Sequence, residues 1–259
     1  MCELFALTTN KETRANEALK AFFARAENAP NGWGLATFRD DALPVIEKEP
    51  ESALTSLYLK NRLRASIVSK TILAHIRRAT VGAIAYENCH PFSLQDATGR
   101  TWTLIHNGTL FHAPQLNSYS ARQRGETDSE RALIRLVVKI NEATQARGDA
   151  LLPDERFQVV ERFVASLSQG NKLNLLIYDG EFLYAHMNYA DSLHYKEIDG
   201  GLIFATQPLD SGGAWKRMPL TTLRVYREGT LVHEGKKHGN IFVDNADDMR
   251  YLFLDFAVL

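Results

Sequence analysis

The sequence has little cysteine and no long apolar run. Cys2 and Cys89 are the two cysteines among its 259 residues. One stands beside the chain terminus and the pair cannot form a disulfide framework, so we expect a reducing compartment. Nowhere do roughly 18 apolar residues follow one another, as a membrane-spanning helix requires, and no basic head precedes an apolar stretch at the start. We therefore expect a soluble, cytoplasmic protein with neither signal peptide nor membrane anchor.

An excess of charge of either sign is also missing. The chain carries 30 basic and 31 acidic residues, with a formal net charge of −1, so we expect no nucleic acid and no membrane as a partner. Its 45% apolar and 24% charged content is ordinary for a globular protein. Because no repeat, low-complexity tract or Pro/Gly/Ser-rich linker divides the chain, we expect residues 2–259 to form a single domain.

Apolar periodicity predicts a first half that mixes helices and strands, and a second half of antiparallel strands. Helical spacing covers 12–26, 129–146 and 154–168, with a short helix over 52–59. Apolar, β-rich stretches indicate strands over 3–8, 35–38, 43–48, 71–76, 101–105, 172–178, 181–187, 193–198, 202–206, 223–226 and 230–233. Together these elements predict an α+β layered architecture.

The first two residues, Met1-Cys2, suggest an unusual nucleophile. If the initiator methionine is removed, Cys2 carries both a thiol and a free α-amine. An α-amine with a reference pKa of roughly 7.7–8.0 can take the thiol proton near neutral pH, so one residue would supply nucleophile and base. Position alone also allows the ordinary interpretation, in which Cys2 is an inert residue of a first strand.

Two strand candidates run directly into polar stretches, which is where sites are commonly built. The strand over 71–76 leads into Arg77-Arg78-Ala79-Thr80-Val81-Gly82, and the strand over 101–105 leads into His106-Asn107-Gly108. We expect both stretches to carry functional side chains.

Five sequence blocks, in this order and spacing, resemble the class II glutamine amidotransferase domain of the N-terminal-nucleophile (Ntn) hydrolases. They are Met1-Cys2, Ala74–Gly82, Asn88-Cys89-His90-Pro91-Phe92, His106-Asn107-Gly108 and Gly125–Glu130. The resemblance spans residues 2 to about 210 and is strongest to stand-alone, YafJ-like members, whose relatives include γ-glutamyl hydrolases. It implies a four-layer αββα sandwich, in which two antiparallel sheets lie between helical layers.

The resemblance implies catalytic roles for three residues. Cys2 is the nucleophile, which forms a thioester with the substrate. The Asn107 side-chain amide and the Gly108 backbone N–H form the oxyanion hole, since the tetrahedral intermediate of amide hydrolysis carries negative charge on oxygen. Glycine suits this role because the substrate must approach the main chain closely.

Three further residues are implied to bind the zwitterionic head of a γ-glutamyl substrate. Arg77 binds the α-carboxylate with its planar guanidinium, and Thr80 adds a hydroxyl beside it. Asp128 binds the α-ammonium. The ordinary alternatives are a surface ion pair for Arg77 and a helix cap for Asp128, and Thr127 is the other candidate for that cap.

The implied activity is hydrolysis of a γ-glutamyl amide, either glutamine or a γ-glutamyl conjugate, to glutamate and ammonia or an amine. Two alternatives stay open: a glutaminase subunit that delivers ammonia to a separate synthase partner, and a catalytically silent sensor of a γ-glutamyl metabolite. The tail 221–259 is too short for a synthase, so we expect no ammonia-accepting site on this polypeptide.

The expected protein has no cofactor and no metal. Cys89 and His90 are adjacent, and adjacent ligands chelate poorly. The residues expected to bind the glutamyl head do not contact the leaving group, so the identity of the leaving group stays open. Trp33, Tyr86 and Trp215 are the candidates for lining a pocket around it.

Overall fold

The computed structural model describes residues 1–39 and 43–246, and its strands form two antiparallel sheets. The strands are β1 (Glu3–Arg14), β2 (Trp33–Phe38), β3 (Val45–Glu49), β4 (Val68–Ile76), β5 (Phe92–Gln95), β6 (Thr101–Thr109), β7 (Lys172–Tyr178), β8 (Leu183–His186), β9 (His194–Ile198), β10 (Gly201–Ala205), β11 (Lys216–Arg217), β12 (Arg224–Arg227) and β13 (Thr230–Glu234). The first sheet has the order β11-β9-β10-β1-β4-β2-β3, and the second has the order β13-β12-β8-β7-β6-β5.

Four α-helices are present in the described part of the chain, with three short 3-10 helices. They are α1 (Asn16–Phe23), α2 (Leu57–Arg62), α3 (Asp128–Arg147) and α4 (Pro153–Leu167), and the 3-10 helices Ala26–Asn28, Tyr86–Asn88 and Pro114–Arg122. Helix α3 begins after Thr127, whose hydroxyl accepts the Glu130 N–H, and it ends at Gly148, which adopts a left-handed φ of 81°. Within residues 1–39 and 43–246, no helix has both the length and the apolar content to cross a membrane.

The two sheets lie face to face between the helices. One apolar cluster fills the space between the sheets and joins Leu4 and Leu73 of the first to Ile105 and Leu176 of the second. A second cluster covers the outer face of the first sheet with α1 and α2, and a third covers the outer face of the second sheet with α3 and α4. The order helix, sheet, sheet, helix confirms the expected four-layer αββα sandwich.

The alternation of side chains between the two faces of β1 places the Cys2 side chain between the sheets. Phe5 and Leu7 pack toward the α1 and α2 layer, whereas Leu4 and Ala6 belong to the cluster between the sheets. Because successive side chains of a strand point to opposite faces, Cys2 falls on the inner face at the beginning of this strand. The strand's own hydrophobic pattern therefore directs the thiol into the sandwich.

The prediction of where the first strand ends was wrong. Residues 9–14 continue β1 and pair again with β4 after an irregularity, with Thr13 opposite Ser69. The Thr9 hydroxyl donates a hydrogen bond that is shared between the Lys11 and Lys70 carbonyls. Sheet pairing therefore outweighs the local helical pattern, and α1 begins later, at Asn16.

Strand β6 also runs beyond its predicted end. His106, Asn107 and Gly108 lie within the strand and pair with residues 173–175 of β7. The short strands β5 and β11 were not predicted, because a few residues at a sheet edge carry too little periodicity. The remaining predicted helices and strands are found with boundaries shifted by a few residues. The strand predicted over 43–48 corresponds to β3, which covers its later part from Val45.

Candidate active site

Cys2 immediately precedes β1 and lies next to the end of the neighbouring strand β4. β1 and β4 are antiparallel with Glu3 opposite Ile76, which brings Cys2 to the end of β4. Its Sγ donates a hydrogen bond to the Arg78 carbonyl and accepts one from the Arg78 N–H, both at 3.3 Å. Burial raises the pKa of the Cys2 thiol, so this thiol is protonated at neutral pH and needs a base to act as a nucleophile.

The α-amine that could serve as this base belongs to Met1 in the structure. Burial lowers the pKa of the Met1 α-amine, and the Cys2 side chain is its next largest influence, so the two groups interact. A lowered pKa increases the fraction of the amine that is unprotonated and able to act as a base. Cys2 can carry both the base and the nucleophile only after Met1 is removed. The removal of Met1 stays an expectation.

A cavity of about 280 Å³ opens beside the Cys2 thiol. The residues that line it come from six parts of the chain. These are the two residues before β1, the loop after β4, the end of β6 with the residues that follow it, the start of β7, and two later segments. The lining residues are Met1, Cys2, Thr80, Asn107, Gly108, Thr109, Phe111, Lys172, Tyr189, Phe242 and Asp244. The expected nucleophile and both residues of the expected oxyanion hole therefore line the same cavity.

Asn107 lines this cavity and carries an unused hydrogen-bond donor. Its side-chain Nδ2 is buried and has no partner among residues 1–39 and 43–246, although buried polar groups are nearly always paired. The residue itself is held firmly, because the Asn174 side chain donates to its backbone carbonyl at 3.0 Å. The Asn174 Oδ1 in turn accepts the N–H groups of Asn188 and Tyr189 at 3.2 and 3.4 Å. An anchored residue with a free amide is suited to receive a developing negative charge.

Gly108 is required by close packing of the main chain. A Cβ at this position would lie 1.9 Å from the Lys172 carbonyl oxygen and 2.6 Å from His106 Nε2. Strand β5 pairs with β6 only as far as Leu104, so the strand segment that contains Gly108 has a strand neighbour on one side only. A ligand can therefore approach this backbone from the other side.

Arg77 is buried at the end of β4, but its guanidinium is not in the cavity lining. Nη1 donates to the Ala83 carbonyl at 3.1 Å, and Nη2 donates to the Val81 and Gly82 carbonyls at 3.2 and 3.0 Å. No ion pair of Arg77 is found in the described chain, so the alternative of a surface ion pair does not apply. The side chain thus holds the 81–83 loop, and Nε and one Nη1 hydrogen remain for a ligand.

Asp128 is the first residue of α3, and Thr127 is the cap. The Asp128 Oδ2 accepts the Leu110 N–H at 2.8 Å, and Oδ1 accepts the Ser129 N–H at 2.7 Å and the Ser129 hydroxyl at 3.2 Å. A carboxylate has about four acceptor positions, so these bonds fix its orientation and leave capacity for an ammonium. Asp128 and Arg77 both act electrostatically on Cys2, and the three groups are therefore near one another.

Thr80 is half-buried in the cavity wall, where its Oγ1 accepts a hydrogen bond from Thr109 Oγ1 at 3.4 Å. The two hydroxyls join the loop after β4 to the end of β6. Thr80 therefore lines the same cavity as Cys2. Its expected role beside the α-carboxylate stays a prediction.

The histidines near the site are structural hydrogen-bonding groups. His75 Nε2 lies 3.0 Å from the His106 carbonyl and bridges the two sheets, while His106 bonds Ser129 Oγ and the Lys172 carbonyl at 2.9 and 3.1 Å. Burial lowers the pKa of His75 to about 3, which makes it a poor base at neutral pH.

The second cysteine and the aromatic candidates lie elsewhere. Cys89 is buried, and burial raises the pKa of its thiol to about 11. Among the described residues, no three His, Cys, Asp or Glu side chains are placed to hold a metal. The expectation that Trp33, Tyr86 and Trp215 line the leaving-group pocket was wrong for the cavity at Cys2: none of them is in its lining. Trp33 packs fully buried in the cluster against α1 and α2, because its apolar ring fills that layer.

The sequence interpretation missed the residues that line the rest of the cavity. Lys172, Tyr189 and Phe242 come from three separate segments and share no motif. The one local signal was a lysine at the start of an otherwise apolar strand, Lys172–Tyr178. A charged residue there needs an unusual environment when it is buried.

Comparison with protein families matches residues 1–198 to the family described as "Glutamine amidotransferases class-II". Among curated proteins, the chain is 27% identical over 260 residues to YafJ of Escherichia coli, a protein that carries the name of a glutamine amidotransferase. That match covers 90% of this chain and 100% of YafJ.

Solved structures share the fold. A predicted glutamine amidotransferase from Pseudomonas aeruginosa superposes with a TM-score of 0.65 at 21% identity, over 90% of this chain and 100% of that one. The glutamine phosphoribosylpyrophosphate amidotransferase of B. subtilis superposes with a TM-score of 0.64 at 15% identity, over 92% of this chain and 49% of that one. The sandwich is thus the Ntn fold of these amidotransferases.

Proposed function

Because the chain belongs to the class II glutamine amidotransferases, we propose that it hydrolyses a γ-glutamyl amide through a thioester on Cys2. The substrate is glutamine or a γ-glutamyl conjugate, and the products are glutamate and ammonia or an amine. The observation that carries this proposal is that Asn107, whose buried amide Nδ2 has no partner in the described part of the chain, lines the same cavity as Cys2.

The first half-reaction forms the thioester. After Met1 is removed, the Cys2 α-amine takes the thiol proton while Sγ bonds to the substrate carbonyl carbon. The carbonyl oxygen becomes an oxyanion, which the Asn107 amide and the Gly108 N–H stabilise. The protonated amine then gives its proton to the leaving nitrogen as the carbon–nitrogen bond breaks.

The second half-reaction regenerates the enzyme. The same α-amine takes a proton from water as the water oxygen attacks the thioester carbonyl, and the oxyanion forms again in the same place. The carbon–sulfur bond then breaks, the proton returns to Sγ, and glutamate leaves.

The glutamyl head is bound at the inner end of the site. The free Nε–H and Nη1–H of Arg77 pair with the α-carboxylate, with the Thr80 hydroxyl beside them. The remaining acceptor positions of Asp128 receive the α-ammonium, and the N-terminus of α3 supports the negative charge of Asp128. The bonds that hold these groups to the 81–83 loop and to Leu110 fix the spacing between the two charges.

The proposal is tested by intact mass analysis before and after treatment with 6-diazo-5-oxo-norleucine, an electrophile with a glutamyl head. We expect loss of Met1 and one covalent adduct on Cys2, followed by release of glutamate from glutamine or γ-glutamyl amides. The buried thiol offers a matched control: Cys89→Ser keeps the adduct and Cys2→Ser loses it.

Two other outcomes would assign a different function. Weak glutamine hydrolysis that rises strongly on addition of a separate synthase would support an ammonia-delivering subunit. A protein that retains Met1 and takes no adduct would overturn the hydrolase proposal and favour a sensor of γ-glutamyl metabolites.

A further inference from the structure

The part of the cavity away from the reacting carbonyl is lined by charged and aromatic side chains. Of the three proposed head-binding residues, Thr80 lines the cavity, whereas the charged anchors Arg77 and Asp128 do not. The part of the cavity away from Thr80 is therefore assigned to the leaving-group side of Cys2. Besides the catalytic residues, its lining includes an ammonium, three aromatic rings and one carboxylate: Lys172, Phe111, Tyr189, Phe242 and Asp244. We call these five residues the distal wall.

We propose that the distal wall selects γ-glutamyl conjugates whose leaving amine carries a carboxylate and an apolar side chain, with Lys172 as the residue that binds the carboxylate. This inference rests on the proposed hydrolysis at Cys2. It assigns the substrate to γ-glutamyl amino acids or peptides rather than to glutamine, whose leaving ammonia would contact none of these residues.

Lys172 is the one cationic side chain in the cavity lining, and it is 8% exposed. Its Nζ lies 3.5 Å from the centroid of the Tyr189 ring and 2.7 Å from the Met1 Sδ. Across the described residues it forms no ion pair. A buried ammonium normally has a carboxylate partner because its desolvation is costly. An anionic group of a ligand would provide this partner for Lys172.

Removal of Met1 strengthens this argument. The Met1 thioether is a weak acceptor, and it departs with Met1 when the α-amine of Cys2 is freed. Lys172 then keeps only the face of the Tyr189 ring, a cation–π contact. The space that the methionine side chain occupied beside the ammonium becomes available to the leaving half of the substrate.

The carboxylate of the distal wall does not neutralise Lys172. Asp244 is exposed, and its Oδ2 accepts the Tyr189 hydroxyl at 2.7 Å. Burial lowers the pKa of Lys172 to about 8, with Asp244 acting in the opposite direction. Lys172 therefore remains mostly charged near pH 7, and its ammonium can bind a carboxylate there.

Aromatic rings provide the apolar side of the distal wall. Phe111 and Phe242 stack with centroids 5.9 Å apart and an interplanar angle of 8°, and Tyr189 lies 6.1 Å from Phe242. Phe242 is held in place because its N–H donates to the Asn188 carbonyl at 2.8 Å. An apolar side chain on the leaving group would bury surface against these rings.

Part of the distal wall lies beyond the segment that matches the family. Phe242 and Asp244 belong to the segment 235–246, outside residues 1–198. This segment is fixed by bonds from Asn240 Nδ2 to the Ala165 carbonyl and from the His238 N–H to the Thr221 carbonyl, at 2.9 and 3.1 Å. Two residues of the distal wall therefore lie outside the matched catalytic domain, in a segment where leaving-group specificity would arise.

The test compares two substrates that differ by one carboxylate. They are γ-glutamyl-phenylalanine and γ-glutamyl-phenethylamide, measured with the Met1-processed wild-type enzyme and with glutamine as a third substrate. We expect kcat/KM to be about 10- to 100-fold higher for the carboxylate-bearing amide, as one charged hydrogen bond in a buried site gives. In Lys172→Met the ratio should fall to near one, and Lys172→Arg should restore part of it.

A wild-type ratio near one, or a ratio unchanged in Lys172→Met, would overturn the inference, and the wild-type measurement needs no variant to fold. Thermal unfolding of Lys172→Met checks that it is folded. If the wild type forms the Cys2 adduct but prefers glutamine, only the inference fails. If it forms no adduct and hydrolyses none of the three substrates, the proposed function itself fails.

Discussion

The backbone and the side chain of Asn107 serve different purposes. Its backbone carbonyl accepts a hydrogen bond from the Asn174 side chain, whose Oδ1 accepts the N–H groups of Asn188 and Tyr189. The Asn107 side-chain amide is buried and has no partner among the residues that the structure describes. Leaving a buried donor unpaired costs about 1–3 kcal/mol of folding free energy. The fold retains this unfavourable group where an oxyanion would satisfy it.

Replacing Asn107 by alanine should therefore damage turnover more than binding. We expect kcat for γ-glutamyl amide hydrolysis to fall by about 100- to 1000-fold, with a small change in KM, because the donor acts mainly on the transition state. Steady-state kinetics with the preferred γ-glutamyl amide measures both constants.

Asn107→Asp is the matched variant, since it keeps the shape but replaces the amide donor by an acceptor. A loss of kcat at least as large as in Asn107→Ala is expected, because a carboxylate repels the oxyanion. Wild-type kcat in both variants would contradict the assignment of this amide as an oxyanion donor.

Among the elements, helix α3 links fold stability to Asp128, the carboxylate proposed to bind the glutamyl head. Thr127 caps the helix by accepting the Glu130 N–H at 3.2 Å, and Asp128 follows as the first helical residue. The apolar face of α3 packs on the second sheet through residues such as Leu133, Leu136 and Ile140. The carboxylate of Asp128 is thus positioned by a helix end that both capping and packing hold in place.

Thr127→Ala should lower the free energy of unfolding by about 1 kcal/mol, as loss of an N-cap hydroxyl usually does. KM for the γ-glutamyl substrate should rise as well, because the first turn of α3 carries Asp128. Urea denaturation measures the stability, and steady-state kinetics measures KM.

Ser166→Ala serves as the control for Thr127→Ala. Ser166 is an exposed hydroxyl in the last turn of α4, far from the N-terminal end where a side-chain oxygen caps free N–H groups. We expect its replacement to change stability by less than about 0.5 kcal/mol and to leave KM unaltered. Equal destabilisation by the two substitutions would argue against a capping role for Thr127.

Considered as a whole, the molecule buries several histidines in their neutral form. Burial lowers the pKa of His75 and of His186 to about 3, and it lowers the pKa of His90 well below its usual range. In the unfolded chain these groups titrate near about 6.5. Below that pH the unfolded state binds protons that the folded state does not, so acid favours unfolding.

The free energy of unfolding should accordingly fall as the pH decreases from about 6.5 toward about 3. Each such histidine contributes up to about 1.4 kcal/mol per pH unit in this window and nothing above it. Urea denaturation of wild type and of His186→Gln at several pH values measures the effect. The variant should show a shallower slope, and parallel curves for the two proteins would refute the contribution of His186.

Local patterns in the sequence were sufficient for much of the fold and for the motif residues of the candidate site. The apolar periodicity of residues 129–146 and 154–168 predicts α3 and α4 nearly to their ends, because long amphipathic helices repeat their signal over several turns. The motifs around Cys2 and Asn107 point to residues that the structure brings to one cavity.

Residue type and short-range spacing specify most of the helices and strands and the positions of the chemically specialised residues along the chain. The remaining features depend on contacts between distant parts of the folded chain. Only pairing with β4 extends β1 to Arg14, and only the packing of distant segments brings Lys172 and Phe242 beside Cys2. Contacts between residues so far apart in the chain leave no periodic signal, because they depend on how the two sheets and segment 235–246 are arranged in space.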